Sequence, residues 1–452
     1  MKRSPRHESR PIAIDPKLAA REVAFHVVSD VFGEEKRGAQ AAFDVRARRA
    51  ELDGRDRAFA AELAYGSIKA RRLIDYSLAP YLNERERPLT VAIGEVLRLG
   101  VYQVRFMSVG DHAAVSETVN LAWKHGHKGT AGLVNAVLRR MLADGTPELL
   151  PETFEKRTDY YGTKFSVPSW IAGQYVAMYP DVAEAALAGV NAAPQHAIRV
   201  NGLRSDVETV HAELAARGIG VERSPYVAES LIVDAGAIGD DPQGRFSVQG
   251  EAAAMPVDLL APQPGETVLE MCSGRGNKTV QIAARLGGAG TIVCVEIDDR
   301  KIRVLRETLE RADARGVGIV AGDARVAASE VAADAVLLDA PCSGTGIIGR
   351  HPEARWRKDV RDGERLAIVQ AELLRAAASR TLPGGRLVYS VCSSDAREGR
   401  AVVDAFLTND ARFVRAALPE RYADFAQDGD VVVPAGVAGR DGFYIATLAR
   451  TA

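Results

Sequence analysis

Two cysteines carry the clearest chemical signal in this sequence. Cys342 lies in Asp339-Ala340-Pro341-Cys342-Ser343-Gly344-Thr345-Gly346, at the end of the apolar run DAVLLD, and Cys392 lies in LVYSVCSS, residues 387–394. Each follows a hydrophobic run that reads as a buried strand, and strand ends of parallel α/β sheets are where such folds place their chemistry. A solitary cysteine is most often a small buried hydrophobe. Two of them, each at a strand end beside loop-forming residues, predict a shared cleft.

A second group of residues predicts a ligand for that cleft. Glu270-Met271-Cys272-Ser273-Gly274-Arg275-Gly276-Asn277-Lys278 joins a strand to a helix. Its glycines let backbone approach a ligand, and the helix start offers free N–H groups to a carboxylate or phosphate. The loop lacks the third glycine of a dinucleotide fingerprint and is not GxxxxGK[ST], so NAD and nucleoside triphosphates fit poorly. Glu296 follows the next strand, twenty residues past Gly276, placed to accept bonds from ribose hydroxyls. Asp323 and Asp339 end the two strands after that. Each acid alone would pass for a cap or turn residue. In series behind a glycine loop they suit an adenosine ligand bearing a carboxylate, namely S-adenosylmethionine.

The elements that must position these residues are of three kinds. From residue 245 onward, strands TVLEMC, TIVCVEI, GIVAGD, AVLLDAP and GRLVYSVC alternate with helices over 278–286, 299–314 and 364–382, which is a doubly wound α/β (Rossmann-like) domain. Residues 160–244 read as a small α+β, ferredoxin-like unit: a helical stretch from 168 to 189, strands AIRVNGL, IGVERSP and SLIVDAG, and a helix closed by Gly218. Residues 17–145 show only helical periodicity, carried by Leu18, Val23, Val27, Val31, Phe59, Leu63, Ile68 and Leu73, and predict an all-α domain of four or five helices. Its polar faces hold Lys69, Arg71, Arg72, Lys124, His125, His127, Lys128, Arg139 and Arg140, a solvated surface or an RNA contact. The start, residues 1–16, is basic without an apolar h-region and reads as a disordered arm.

The chain has 452 residues, 58 Lys and Arg against 60 Asp and Glu, so any nucleic-acid surface must be a local patch. No apolar run approaches the roughly 18 residues of a membrane span. The four cysteines, Cys272, Cys294, Cys342 and Cys392, show neither CxxC nor Cys/His ligand spacing. A cytoplasmic, reduced, metal-free protein is expected, and a monomer.

DAPCSGTG, YSVCS, GRHPEARWR (349–357) and VQGEAAAMPVDLLAPQPGETVLEMC (248–272) together resemble the Sun-type RNA cytosine-C5 methyltransferases. VLRLGVYQVRFM (96–107), the stretch 112–141 and FSVPSWI (165–171) are similar to the NusB-like helical domain and linker of the RsmB branch, the 16S ribosomal RNA methyltransferases. The resemblance runs from about residue 18 to DGFYIATLAR at 441–450.

It implies methylation of cytosine C5 in 16S rRNA with S-adenosylmethionine as cofactor, through a covalent intermediate. Cytosine C5 is a poor nucleophile, so a thiolate must first add to C6. By resemblance Cys392 is that thiol, Cys342 acts in product release, and Asp339 lies at the base and cofactor. Cys272, Ser273, Gly274, Arg275, Gly276, Asn277, Lys278, Glu296, Asp323 and Asp339 form the expected cofactor site. Arg350, His351 and Arg355 are candidate RNA contacts. One departure stands out: the family loop CAAPGGKT reads CSGRGNKT here, although Glu270, Gly274 and Gly276 recover the E-x-x-x-G-x-G form of other methyltransferases. Two alternatives remain at this point: the same chemistry on tRNA or 23S rRNA, and a non-catalytic RNA-binding assembly factor.

Overall fold

The computed structural model describes residues 19–34, 36–82, 89–146, 148–234, 238–239 and 241–452. The expected basic arm and Leu18 lie outside them. The chain divides into two compact units, residues 1–168 with 351–353, and residues 169–350 with 354–452.

The first unit is helical throughout its described residues, with seven α-helices between Ala19 and Asp144 where periodicity predicts four or five. The difference comes from two breaks. The run expected to be continuous from 56 to 78 splits at Ala70 into Gly54–Lys69 and Arg71–Leu78, so beyond the break Ile74, Ser77 and Leu78 are buried and Leu73 is not. The stretch 112–141 splits at Gly126 into Asp111–His125 and Lys128–Asp144, and a Cβ on Gly126 would lie 2.8 Å from Ile93 Cδ1. His127 caps the second of these helices in a capping box with Thr130. Val23, Val27, Val31, Leu63 and Ile68 are buried together with Val96, Leu97, Leu121 and Leu138.

The polar faces of this unit are not uniformly solvated. Arg71 makes a two-pronged bond to Glu95, at 2.7 and 2.9 Å, and lies over the Phe32 ring. Arg72 donates to Val167 O, and Lys124 pairs with buried Glu22. Lys128, Arg139 and Arg140 are exposed.

In the second unit, β1 (His196–Val200), β2 (Val221–Arg223), β3 (Ser230–Val233) and β4 (Phe246–Val248) form an antiparallel sheet in the order β2-β3-β1-β4. The helix Val207–Ala216, capped by Asp206, packs Val210 and Leu214 against Ile198, Val200 and Leu231. β4 is only three residues long, too short to show a period of two. This sheet is tied to the rest of the unit through charge: fully buried Arg199 donates to Gln249 and to the carbonyl of Asn277, and Arg285 bridges Glu229 and Asp258.

The larger sheet contains β5 (Thr267–Met271), β6 (Thr291–Glu296), β7 (Val317–Ala321), β8 (Ala333–Asp339), β9 (Thr381–Val391), β10 (Phe413–Arg415), β11 (Ala426–Gln427), β12 (Asp430–Val433) and β13 (Phe443–Arg450). Its order is β11-β12-β13-β9-β8-β5-β6-β7, with β10 beside β13. β5 to β9 are parallel, as the alternation of strands and helices predicts; β10 to β13 add an antiparallel wing that the same pattern does not announce. β13 pairs with β9 from Arg386 to Val391, which makes β9 an interior strand buried on both sides. The strand order reverses between β5 and β8, and the crevice at their C-terminal ends is where open α/β sheets bind ligands. No helix among the described residues is long and apolar enough to cross a membrane.

Candidate active site

Asp339 is the last residue of β8, paired in register with Ser390 of β9. The two strands end level with each other, so the loops beyond them run side by side. Ala340 N donates to Ser390 O at 2.9 Å and Gly346 N to Cys392 O at 3.1 Å. A Cβ on Gly346 would lie 2.3 Å from Gly442 O and 3.0 Å from Cys392 O, so this close approach requires glycine. The result is the shared cleft: Cys342 Sγ and Cys392 Sγ are 3.3 Å apart.

The two thiols are not equivalent. The hydrogen bond to Cys392, then burial, pushes the Cys342 thiol well above its ordinary range. Cys342 therefore keeps its proton and can donate it toward Cys392 sulfur.

A carboxylate that the sequence did not single out holds both cysteine loops. Glu398, fully buried, accepts from Ser343 N at 2.8 Å, from the Ser343 hydroxyl, from Ser393 Oγ at 2.5 Å and from Gln370 Nε2 at 3.0 Å. Gln370 also donates to Pro341 O. The only sequence clue was indirect: an acid six residues after Cys392, with serines beside both cysteines. Tyr175 and Tyr179 close the far side, bonded to Thr345 O and Ser394 Oγ.

Asp339 accepts from Lys278 Nζ at 2.6 Å and from Ser390 Oγ at 2.7 Å. Lys278 stands at the start of the helix Asn277–Leu286, across the crevice from β8. Burial, the largest single effect, would lower its pKa, but the charge and hydrogen bond of Asp339 together with the charge of Glu270 outweigh it and raise it, so Lys278 is an ammonium. The structure thus joins the glycine loop to the thiol cleft through one ion pair.

The glycine loop is built for a close-lying ligand. Cys272, Gly274 and Gly276 take φ of +62°, +61° and +89°. A Cβ on Gly276 would lie 2.5 Å from Leu305 Cδ1, whereas one on Gly274 would meet only Cys272 O at 4.0 Å. Gly276 serves packing, and Gly274 leaves open space. The helix that follows has no side-chain cap, so its first amides remain available to an anionic group. Glu296, nearly buried, accepts from Gly274 N at 2.8 Å and from Ile297 N and Asp298 N at 3.0 Å each. Those three bonds leave about one acceptor site of its roughly four for a hydroxyl. Asp323 is gripped by Arg325, whose bonds hold its carboxyl below the usual range. These residues fit a ligand with a carboxylate and a ribose. The CSGRGNKT departure is absorbed locally: Arg275 is exposed, and the Asn277 carbonyl is held by Arg199.

Cys272 and Cys294 both hold their thiol protons more tightly than usual. Burial, followed by the charge of Glu296, pushes Cys272 up to about 12, and burial followed by Glu270 raises Cys294 well above its ordinary value. Burial also brings Glu270, bonded to Thr279 Oγ1 at 2.5 Å, up to about 7.

The structure places the three expected RNA contacts of 349–357 in different surroundings. Arg355 is buried and donates to Asn191 Oδ1, Val190 O and Ile348 O. Arg350 is paired with Asp441 and donates to Gln195 O at 2.6 Å. Both brace loops of the second unit. His351 is exposed, in the short segment 351–353 that groups with the first unit.

Three family models cover the chain in order: NusB family at residues 18–143, the ferredoxin-like domain of RsmF/B-like methyltransferases at 167–237, and 16S rRNA methyltransferase RsmB/F at 257–449. The chain is 35% identical to the ribosomal RNA small subunit methyltransferase B of Thermus thermophilus over 413 residues, 91% of this chain and 93% of that one. It is 32% identical to the protein of the same name from Pseudomonas putida over 415 residues, 89% and 92% of the two chains. Among solved structures it is similar to PH0851, with a TM-score of 0.78 and 25% identity over 97% of this chain and all of that one.

Proposed function

Since this chain belongs to the RsmB/F family of RNA methyltransferases, we propose that it methylates C5 of a cytosine in 16S ribosomal RNA, using S-adenosylmethionine and a covalent bond from Cys392 to C6. The observation that carries this reading is the 3.3 Å pairing of Cys392 with a high-pKa Cys342, beside the Lys278–Asp339 ion pair.

Cys392 thiolate forms the S–C6 bond, and the C5–C6 π pair shifts toward N3, leaving C5 nucleophilic. The Lys278–Asp339 pair faces the same crevice and supplies the proton that N3 takes up as charge arrives there. S-adenosylmethionine, when bound, supplies an electrophilic methyl group to C5. Ser273, Gly274, Arg275, Gly276, Asn277 and the backbone of Cys272 would hold its methionine portion, Glu296 its ribose, and Asp323 its adenine side. Cys342 acts in release as a relay: its thiol proton passes to solvent as its sulfur takes the C5 proton, N3 returns its proton to the Lys278–Asp339 pair, the C5–H pair re-forms the double bond and Cys392 leaves as thiolate. The sum replaces H by CH3 and releases one proton. The target base must be unstacked to reach the thiols, which favours a loop or incompletely folded RNA. The helical domain at 17–145, through exposed Lys128, Arg139 and Arg140, supplies an RNA surface.

The test is a denaturing gel of wild type, Cys342→Ala and Cys392→Ala, each incubated with S-adenosylmethionine and 16S rRNA. Cys342→Ala is expected to accumulate a slow, protease-sensitive RNA adduct, and Cys392→Ala to form none and lose activity by about 10⁴-fold or more. An adduct trapped by Cys392→Ala instead would exchange the roles. Methylation of tRNA or 23S rRNA, and not of 16S rRNA, by wild type would overturn the substrate.

A further inference from the structure

The helical unit contains a cluster that no step of the methyl transfer uses. Glu22 and His26, one turn apart on the helix Ala19–Phe32, meet His125 at the end of the helix Asp111–His125. His26 Nε2 and His125 Nε2 lie 3.4 and 3.3 Å from the same carboxylate oxygen, Glu22 Oε2. The three ligand atoms are all within 4.8 Å of one another. Their chain separation, 22, 26 and 125, hides the set from any reading of ligand spacing, and the expectation of a metal-free chain rested on that spacing.

We propose that Glu22, His26 and His125 form a binding site for one divalent zinc ion, closed by a water at the fourth position. The distances are the first argument. Ligand atoms around a tetrahedral zinc with bonds of about 2.0–2.1 Å stand roughly 3.3 Å apart, the spacing found from each imidazole nitrogen to Glu22 Oε2. The donor set is the second: two imidazoles and one carboxylate suit zinc with an open position. The surroundings are the third. Lys124 Nζ lies 3.1 Å from the other oxygen, Glu22 Oε1, which leaves Oε2 as the single ligating atom and fixes the carboxylate's orientation. Phe25 stacks on the His125 ring at 3.8 Å between centroids and walls off one side. Glu22 is fully buried, whereas the His26 and His125 side chains keep 20% and 17% exposure, so water enters from the histidine side. An ion held here would clip the first helix to the Asp111–His125 helix.

The competing reading is a hydrogen-bonded charge cluster with no ion. The experiment uses the full chain, stripped with chelator and desalted, titrated with Zn²⁺ by calorimetry and with Co²⁺ by visible absorption, in wild type and His26→Gln. One equivalent should bind, with the d–d absorption of four-coordinate Co²⁺ and without a thiolate-to-metal charge-transfer band. His26→Gln should weaken binding by more than about 100-fold, beyond the 10–100-fold that outer-shell changes cost. Zn²⁺ should raise Tm in wild type only, the metal-free Tm values of the two proteins staying close. If His26→Gln proves unstable without metal, His125→Gln is used for the same comparison. Absence of binding at micromolar metal overturns the proposal. So does binding that survives both substitutions or shows the thiolate band, which would place the ion on cysteine instead.

Discussion

Two buried glutamates stand in the same catalytic unit and do opposite things. Glu398, under the cysteine loops, receives four donors: one amide, two hydroxyls and one side-chain amide. Glu270, under the glycine loop, receives the Thr279 hydroxyl at 2.5 Å and the Cys294 thiol at 3.5 Å. Their exposures are 0% and 1%, so burial does not distinguish them. The donor count does. A carboxylate surrounded by donors is a fixed strut between loops, and one that is poorly solvated by its protein becomes a titrating group near neutrality.

The comparison is broken most forcefully at Glu398. Glu398→Ala leaves Ser343 N, two hydroxyls and the Gln370 amide without their acceptor in a dry site, a loss of about 3–5 kcal/mol at one to three per unsatisfied group after partial relaxation. The cysteine loops then lose their common anchor. Urea unfolding should show the stability loss, and kcat should fall by about 10²-fold, the scale expected when reacting groups are misplaced by an ångström. A Glu398→Ala protein with wild-type kcat would show that β8 and β9 alone fix the two thiols.

A smaller effect separates the glycines of the opposite corner. Gly276→Ala places a Cβ against Leu305 at a φ of +89° and should cost about 1–3 kcal/mol of stability. Gly274→Ala, at φ of +61° with open space beyond it, should cost only about 1 kcal/mol but weaken S-adenosylmethionine binding more than Gly276→Ala does. Calorimetric titration beside thermal unfolding reads both. Equal affinities in the two variants would remove Gly274 from the cofactor site.

How much of this was legible in the sequence follows the same division. The residues proposed to react, Cys342, Cys392, Asp339 and Lys278, sit in contiguous motifs at strand ends, and strand periodicity placed those ends on one side of a sheet. The struts are legible only in three dimensions. Glu398 acts across 55 residues on Ser343, and nothing local marks it. Arg350 and Arg355 show the converse: charge within a motif reads as ligand contact, and only the fold reveals that both guanidiniums also hold carbonyls and an aspartate within it. The antiparallel wing escaped because β10 to β12 span two to four residues each, below the length at which alternation is detectable. The helix breaks at Ala70 and Gly126 escaped because hydrophobic spacing continues across them while its phase shifts.

The finest test concerns Glu270 itself. Its folded pKa of about 7 lies above the ordinary value of 4.5, so between those pH values the folded chain holds a proton that the unfolded chain has lost. Stability from this group therefore falls as pH rises through that window and levels off above about 7. Glu270→Gln keeps an acceptor for Thr279 and cannot ionise. The stability of wild type relative to Glu270→Gln should decline by about 1.3 kcal/mol between pH 6 and pH 8, measured by urea unfolding at each pH. A flat Glu270 difference would mean that Lys278, whose charge also reaches Glu270, solvates this carboxylate as fully as the serines solvate the other, and the contrast between strut and titrating group would fail.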